Sequence, residues 1–131
     1  MPAISDYAEK AMLDWVLLGA TPVRPAVIGV GLSTATPGAS AGSEIGTASG
    51  YARQTCTFGP AASPAGSSTN INAMTFGPFS SACTIQGLQV WDTLAATVGN
   101  ELWYGQLATP RTLGVGDSIV FNAASLVITL T

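Results

Sequence analysis

The sequence predicts an all-β protein, a jelly-roll-like antiparallel β-sandwich that follows one N-terminal α-helix. After residue 25, apolar and polar residues alternate in short runs, which is the pattern of half-buried strands. Segments rich in Gly, Pro, Ser, Thr and Asn separate these runs, whereas helical spacing is confined to the N-terminus. We therefore expect one folding unit, with an amphipathic helix and linker in residues 1–24 and a β-sandwich domain in residues 25–131.

The helix is predicted over residues 4–18, where apolar residues recur at the spacing of one helical face. The members of this stripe are Ile4, Ala8, Ala11, Trp15 and Leu18. Asp6 and Glu9 resemble a capping pair at its start, and Gly19 supplies the residue that commonly ends a helix. We expect the stripe to be buried, with Trp15 in the core.

The strands are predicted from seven alternating runs, which lie at residues 26–32, 54–58, 74–76, 88–90, 102–104, 119–123 and 126–130. Residues 34–50 and 59–70 are long and polar, so they are expected to be surface loops. We expect the first of these loops to gain order when the protein assembles. Residues 114–117, Gly-Val-Gly-Asp, are typical of a turn. Seven or eight short strands with turns between them favour a sandwich or jelly roll.

Charge is sparse in this chain. Asp, Glu, Lys and Arg make up 8% of the residues, against about 25% in a typical soluble domain. Such a surface associates readily, which favours a protein that works inside a large assembly. Four dispersed basic residues cannot neutralise a row of phosphates, so we expect binding neither to nucleic acid nor to a membrane surface. No stretch predicts a membrane span, and the acidic N-terminus predicts no secretory signal.

The residues needed for common catalytic chemistry are missing. The chain contains no histidine, so the usual general base, the partner of most nucleophiles and the commonest metal ligand are all lacking. We predict no enzymatic activity, no catalytic residues and no cofactor or metal site. Cys56 and Cys83 do not have metal-site spacing and are predicted to be free thiols, with a disulfide between them as the alternative.

Five residues are candidates for contacts with other subunits: Trp15, Arg53, Trp91, Trp103 and Arg111. Trp91 and Trp103 are out of phase with their apolar neighbours, so each is expected to face away from them. An outward Trp is typical of a protein interface or a carbohydrate platform; alternatively, the opposite sheet and the N-terminal helix cover both faces. Arg53 and Arg111 are expected to be solvated, and are the best candidates for ion pairs between subunits.

The order of segments resembles small structural proteins of tailed bacteriophages, a group that includes tail-fibre-like proteins and jelly-roll cement or decoration proteins of the capsid. The resemblance rests on residues 6–9, 25–34, 50–53, 71–76, 102–107 and 121–130. Its most specific parts are the Gly-Tyr-Ala-Arg segment at 50–53 and the closing pair of strands. Residues 93–99 depart from it, because a shorter, Gly-rich turn is expected there.

The resemblance implies a structural protein of the virion, assembled in the host cytoplasm. We expect a capsid cement protein that bridges major capsid subunits and also contacts itself as a dimer or trimer. The alternative is a binding module of the tail or tail fibre, which would use Trp91 or Trp103.

Overall fold

The computed structural model describes residues 3–38, 44–46, 49–63, 66–96 and 98–130. In these ranges the chain forms nine β-strands, one α-helix and one π-helical turn. The bounds are β1 Ala3–Ile4, α1 Asp6–Leu13, the π-helical turn Asp14–Leu18, β2 Gly29–Ser33, β3 Gln54–Thr55, β4 Ser67–Thr69, β5 Met74–Phe76, β6 Cys83–Trp91, β7 Glu101–Leu113, β8 Ile119–Phe121 and β9 Val127–Thr129. The predicted all-β class with one N-terminal helix is confirmed.

One five-stranded antiparallel sheet dominates the fold, in the order β1-β7-β6-β2-β3. Two separate antiparallel pairs, β4-β9 and β5-β8, supply further core residues. The buried cluster joins all three, and its members include Val30, Leu32, Leu88 and Val90 from the sheet and Met74, Phe76 and Ile128 from the pairs. Alternation of apolar residues along β2 and β6 explains why one face of each strand enters this core.

The helical segment begins later than predicted and ends at Gly19 as predicted, but its last five residues form a π-helical turn. Its N-cap is Ser5, whose hydroxyl accepts a hydrogen bond from the backbone N–H of Ala8 at 3.2 Å, so the predicted Asp6–Glu9 cap is wrong. The two residues before Ser5 pair with β7 as strand β1. Gly19 ends the π-helical turn with φ 75°, in the left-handed conformation expected of it.

Trp15 is 58% exposed, and its predicted place in the core is wrong. The spacing from the buried Ala8 to Trp15 keeps both on one face only if α-helical geometry continues. The chain changes instead to a π-helical turn at Asp14, and the wider turn rotates the following side chains away from that face.

The turn at 114–117 is confirmed, because the Asp117 carboxylate accepts a hydrogen bond from the Gly114 N–H at 2.8 Å. The loop predicted at 59–70 is partly wrong, since Ser67–Thr69 forms strand β4. The two closing strands are present but do not pair with each other: β8 pairs with β5, and β9 pairs with β4.

Asn70 holds the corner between these two closing strands. Its side-chain oxygen accepts a hydrogen bond from the Leu126 N–H at 2.8 Å, and its backbone oxygen accepts one from the Ala124 N–H at 2.7 Å. Ala124 has φ 62°, a left-handed conformation that turns the chain sharply. This corner separates β8 from β9 and directs each to a different partner strand.

Parts of the predicted loop at 34–50, namely 39–43 and 47–48, lie outside the described residues. Of the remainder, Glu44 forms an isolated bridge with Ser33 and Ile45 is buried in the core. Among the described residues, no helix combines the length and the apolar character that crossing a membrane requires.

Candidate interaction surface

Arg53 is buried inside the chain. Only 4% of the residue is exposed, and its Nε and Nη2 groups donate to the two carboxylate oxygens of Glu44, each at 2.7 Å. This two-point ion pair compensates the charge within one chain. The prediction of a solvated Arg53 is therefore wrong, and the residue offers almost no surface for an ion pair with another subunit.

The other donors of Arg53 hold the hairpin loop between β6 and β7. Its Nη1 group donates to the backbone oxygens of Thr93 at 3.1 Å and Val98 at 3.0 Å. Its guanidinium carbon lies 3.9 Å from the centre of the Trp91 ring, which is within cation–π distance. Trp91 is itself buried, so its predicted role as an outward anchor or sugar platform is wrong. The face of β6 that carries Trp91 is covered by Arg53 of the same chain, and not by the N-terminal helix.

Tyr51 completes this cluster. Its hydroxyl donates to Glu44 Oε1 at 2.7 Å and accepts from the Leu32 N–H at 3.0 Å. Burial, reinforced by the hydrogen bond to the Glu44 carboxylate, raises the pKa of Tyr51 well above its ordinary value. At Gly31, an added Cβ would lie 2.6 Å from the Tyr51 oxygen and 2.8 Å from Glu44 Oε1. We call these residues, Gly31, Glu44, Tyr51, Arg53 and Trp91, the Arg53 network; it gives the Gly-Tyr-Ala-Arg segment a structural role.

A second buried polar contact fixes the start of the helix to β7. The Ser5 hydroxyl donates to the backbone oxygen of Glu101, and the Ser5 N–H donates to the Leu102 oxygen at 2.9 Å. The Glu101 carboxylate accepts from Gln89 Nε2 at 2.7 Å. Burial raises the pKa of Glu101 to about 6, and the negative charge of Glu44 adds to this increase. The hydrogen bond from Gln89 acts in the opposite direction and lowers the pKa.

The described residues contain no group of three or more His, Cys, Asp or Glu side chains that could hold a metal ion. Cys56 and Cys83 are free thiols. Burial raises the pKa of Cys56 to about 11 and also raises the pKa of Cys83, so neither thiol has the lowered pKa of a reactive cysteine.

Large apolar side chains are exposed together near the N-terminus. We define the N-terminal apolar surface by its members, which are Tyr7, Leu13, Trp15, Val16, Leu17, Leu18 and Val23. Leu17 is 78% exposed and Val23 is 93% exposed. Single exposed apolar residues are ordinary, but several that are close together in the chain make this segment a candidate binding surface.

A groove of about 710 Å³ lies beside this surface, between helix α1, the following linker and strand β7. We call it the N-terminal groove; Ala8, Ala11, Met12, Pro22, Val23, Ala26, Ile28, Leu102 and Trp103 are among the residues that line it. Its volume lies within the range of ligand pockets, and its lining is mainly apolar.

Trp103 and Arg111 differ from the two buried candidates. Trp103 is half-buried and packs against the core on the same sheet face as its ladder partner Val90. Its indole Nε1 is buried and has no hydrogen-bond partner among the described residues. Arg111 is exposed on β7. Contacts of Trp15, Trp103 and Arg111 with other subunits remain predictions.

The described residues form a small β protein whose buried polar side chains hold strands and loops together. Half of its large exposed apolar residues lie between Tyr7 and Val23. A family model described as Podophage GP4 fiber I protein gp80 matches residues 3–129. The chain belongs to this family. The match confirms the resemblance to structural proteins of tailed bacteriophages and gives the protein a place in the virion. No curated protein is similar enough to the chain to count as a match.

Proposed function

We propose that the protein is a fibre-associated structural subunit of a bacteriophage virion, and that it works by binding other virion subunits without catalysis. The observation that carries this proposal is the family match over nearly the whole chain. This match favours a role in the tail or tail fibre over a role as capsid cement, because the family is described as a fibre protein.

The distribution of side chains supports a binding role. The buried ionisable groups Arg53, Glu44 and Glu101 are engaged in hydrogen bonds that join strands and loops. Seven of the fourteen large apolar residues that are exposed, in contrast, lie in the short segment from Tyr7 to Val23. A small β protein with exposed apolar residues close together in one segment is suited to adding interface area in an assembly, where many weak contacts act together.

Capsid cement is the second candidate function. The sparse charge of the chain favours it, since a low-charge surface can pack closely against a symmetric shell. In that role the partner is the major capsid protein, and each copy bridges neighbouring capsid subunits.

The number of copies per particle distinguishes a fibre subunit at the tail from a cement protein on the head. Purified particles would be digested, and the protein would be quantified by mass spectrometry against the major capsid protein, with immunogold labelling to locate it. A fibre subunit is expected in a small number of copies with label at the tail or its fibres. Hundreds of copies with label over the head would favour cement, and absence from particles would contradict both.

Lack of catalysis is tested separately on the isolated protein. We expect no turnover of glycan, peptide or phosphoester substrates, since the chain has no histidine to act as general base. Reproducible turnover that copurifies with the protein and is lost on a point substitution would contradict this part of the proposal.

A further inference from the structure

The N-terminal apolar surface and the N-terminal groove adjoin each other and share Tyr7 and Val23. The first consists of side chains in solvent, since Leu17 and Leu18 are 78% and 77% exposed at the end of the π-helical turn. The second is a concave apolar surface that begins on the preceding helix and continues along the linker after Gly19. The chain therefore presents exposed apolar side chains and an apolar recess of its own to any neighbouring molecule.

The charges around the groove are balanced. Lys10 and Arg24 line it together with Asp14 and Asp92, and Lys10 already forms an ion pair with Asp14. Two copies of this surface would therefore meet without net repulsion. A strongly acidic or strongly basic partner, in contrast, would find no opposite net charge to recognise.

The size of the surface fits a contact between proteins. The groove lining and the exposed residues beside it comprise about twenty residues, and each side of a standard stable interface contributes about 20–30. The core of such an interface is enriched in aromatic residues and depleted of charge, and Tyr7, Trp15 and Trp103 lie in this region.

We propose that the N-terminal apolar surface of one copy occupies the N-terminal groove of a second copy of this chain. The exchange is reciprocal in a dimer and head-to-tail in a closed trimer, and both arrangements cover the exposed apolar side chains and the groove together. The inference deepens the proposed function by naming the partner of this surface. It is measured on the isolated protein, so its failure would leave the location in the virion untouched.

The test is the oligomeric state of the purified protein, by sedimentation velocity and by light scattering coupled to size exclusion, from about 1 to 100 µM. We expect a dimer or trimer that dissociates on dilution. The double variant Leu17→Gln, Leu18→Gln is expected to weaken association at least tenfold, because both side chains would lose an apolar contact in every interface. Ala26→Glu, which places a charge in the groove, is expected to do the same from the other side.

Val115→Gln is the matched control. Val115 is also strongly exposed, at 73%, but it lies in the turn after β7 and does not line the groove. This variant is expected to associate like the wild type. Far-UV circular dichroism and thermal melting establish that each variant is folded, and the groove variant provides a second test if the leucine variant is not.

A monomeric wild-type protein at 100 µM would overturn the proposal, and so would folded leucine and groove variants that associate like the wild type. Neutral and anionic phospholipid vesicles test the other apolar partner. A wild-type protein that stays monomeric and binds vesicles through Leu17 and Leu18 would identify the surface as a membrane anchor and overturn the proposal. Association that is lost in both variants and kept in the control would support it.

Discussion

The Arg53 network and the N-terminal apolar surface use side chains in opposite ways. In the network, Arg53 is buried, and its Nε, Nη1 and Nη2 groups all donate hydrogen bonds to acceptors of the same chain. At the N-terminal surface, Trp15 and the two leucines that follow it remain in solvent. Polar side chains thus join strands and loops in one region, and apolar side chains are left in solvent in the other.

Charged residues are usually exposed and large apolar residues are usually buried, whereas these two regions show the opposite. Buried ion pairs contribute little net stability, but the loss of one partner is costly because the other charge stays buried without compensation. Exposed apolar residues contribute little to the stability of a monomer and much to association. The two regions should therefore respond very differently to substitution.

The largest effect is expected at Arg53. Arg53→Ala leaves the Glu44 carboxylate buried without its partner and releases the backbone oxygens of Thr93 and Val98. We expect a loss of about 3–5 kcal/mol in the free energy of unfolding, measured by denaturant titration. Arg111→Ala is the control, because Arg111 is exposed; its effect is expected to stay within about 0.5 kcal/mol. Similar losses in the two variants would contradict the structural role of the network.

Tryptophans in the two regions provide a direct comparison. Trp91→Ala removes a buried ring under the Arg53 guanidinium and is expected to cost about 3–5 kcal/mol. Trp15→Ala removes an exposed ring and is expected to cost about 0.5 kcal/mol or less at concentrations where the protein is monomeric. The same denaturant titration measures both. A large cost at Trp15 in the monomer would show that the helix buries this ring after all.

Gly31 tests the packing of the network without removing any of its polar groups. In Gly31→Ala the new Cβ would lie 2.6 Å from the Tyr51 oxygen, so the chain must shift, and we expect a cost of about 1–3 kcal/mol. Gly46→Ala is the control, because nothing lies within 4 Å of a Cβ at that position. Equal melting temperatures for the two variants would mean that Tyr51 moves aside freely.

The smallest effect is expected from the titration of Glu101. Its pKa of about 6 in the folded protein is above the ordinary value of 4.5, so folding favours the protonated acid. This contribution is fully present below about pH 4.5 and is lost as the pH rises through 6, at a cost of about 1–2 kcal/mol by pH 7.5. Glu101→Gln is expected to raise stability at pH 7.5 and to flatten the change between pH 5 and 7.5. A variant with the same pH profile as the wild type would contradict this account of Glu101.

Local features were predictable from the sequence because they depend on residues close together in the chain. The seven alternating runs gave the positions of β2, β3, β5, β6, β7, β8 and β9, and the left-handed Gly19 marked the end of the helical segment. The Asp117 turn is likewise closed by a residue only three positions away. Strand β4 was missed because its three residues, Ser-Ser-Thr, include no apolar residue to alternate. Strand β1 was missed because Ile4 was assigned to the helical stripe.

The candidate site depended on contacts that no local pattern records. Arg53 is buried because Glu44, Thr93 and Val98 reach it from 9, 40 and 45 positions away, and only the folded chain brings these acceptors together. Trp15 is exposed because a π-helical turn interrupts the stripe that predicted its burial. By itself the sequence determined the fold class, the lack of histidine chemistry and the kinship with phage structural proteins. Tertiary structure decided which tryptophans and arginines are inside, since burial follows from long-range packing and not from the alternation of residues along a strand.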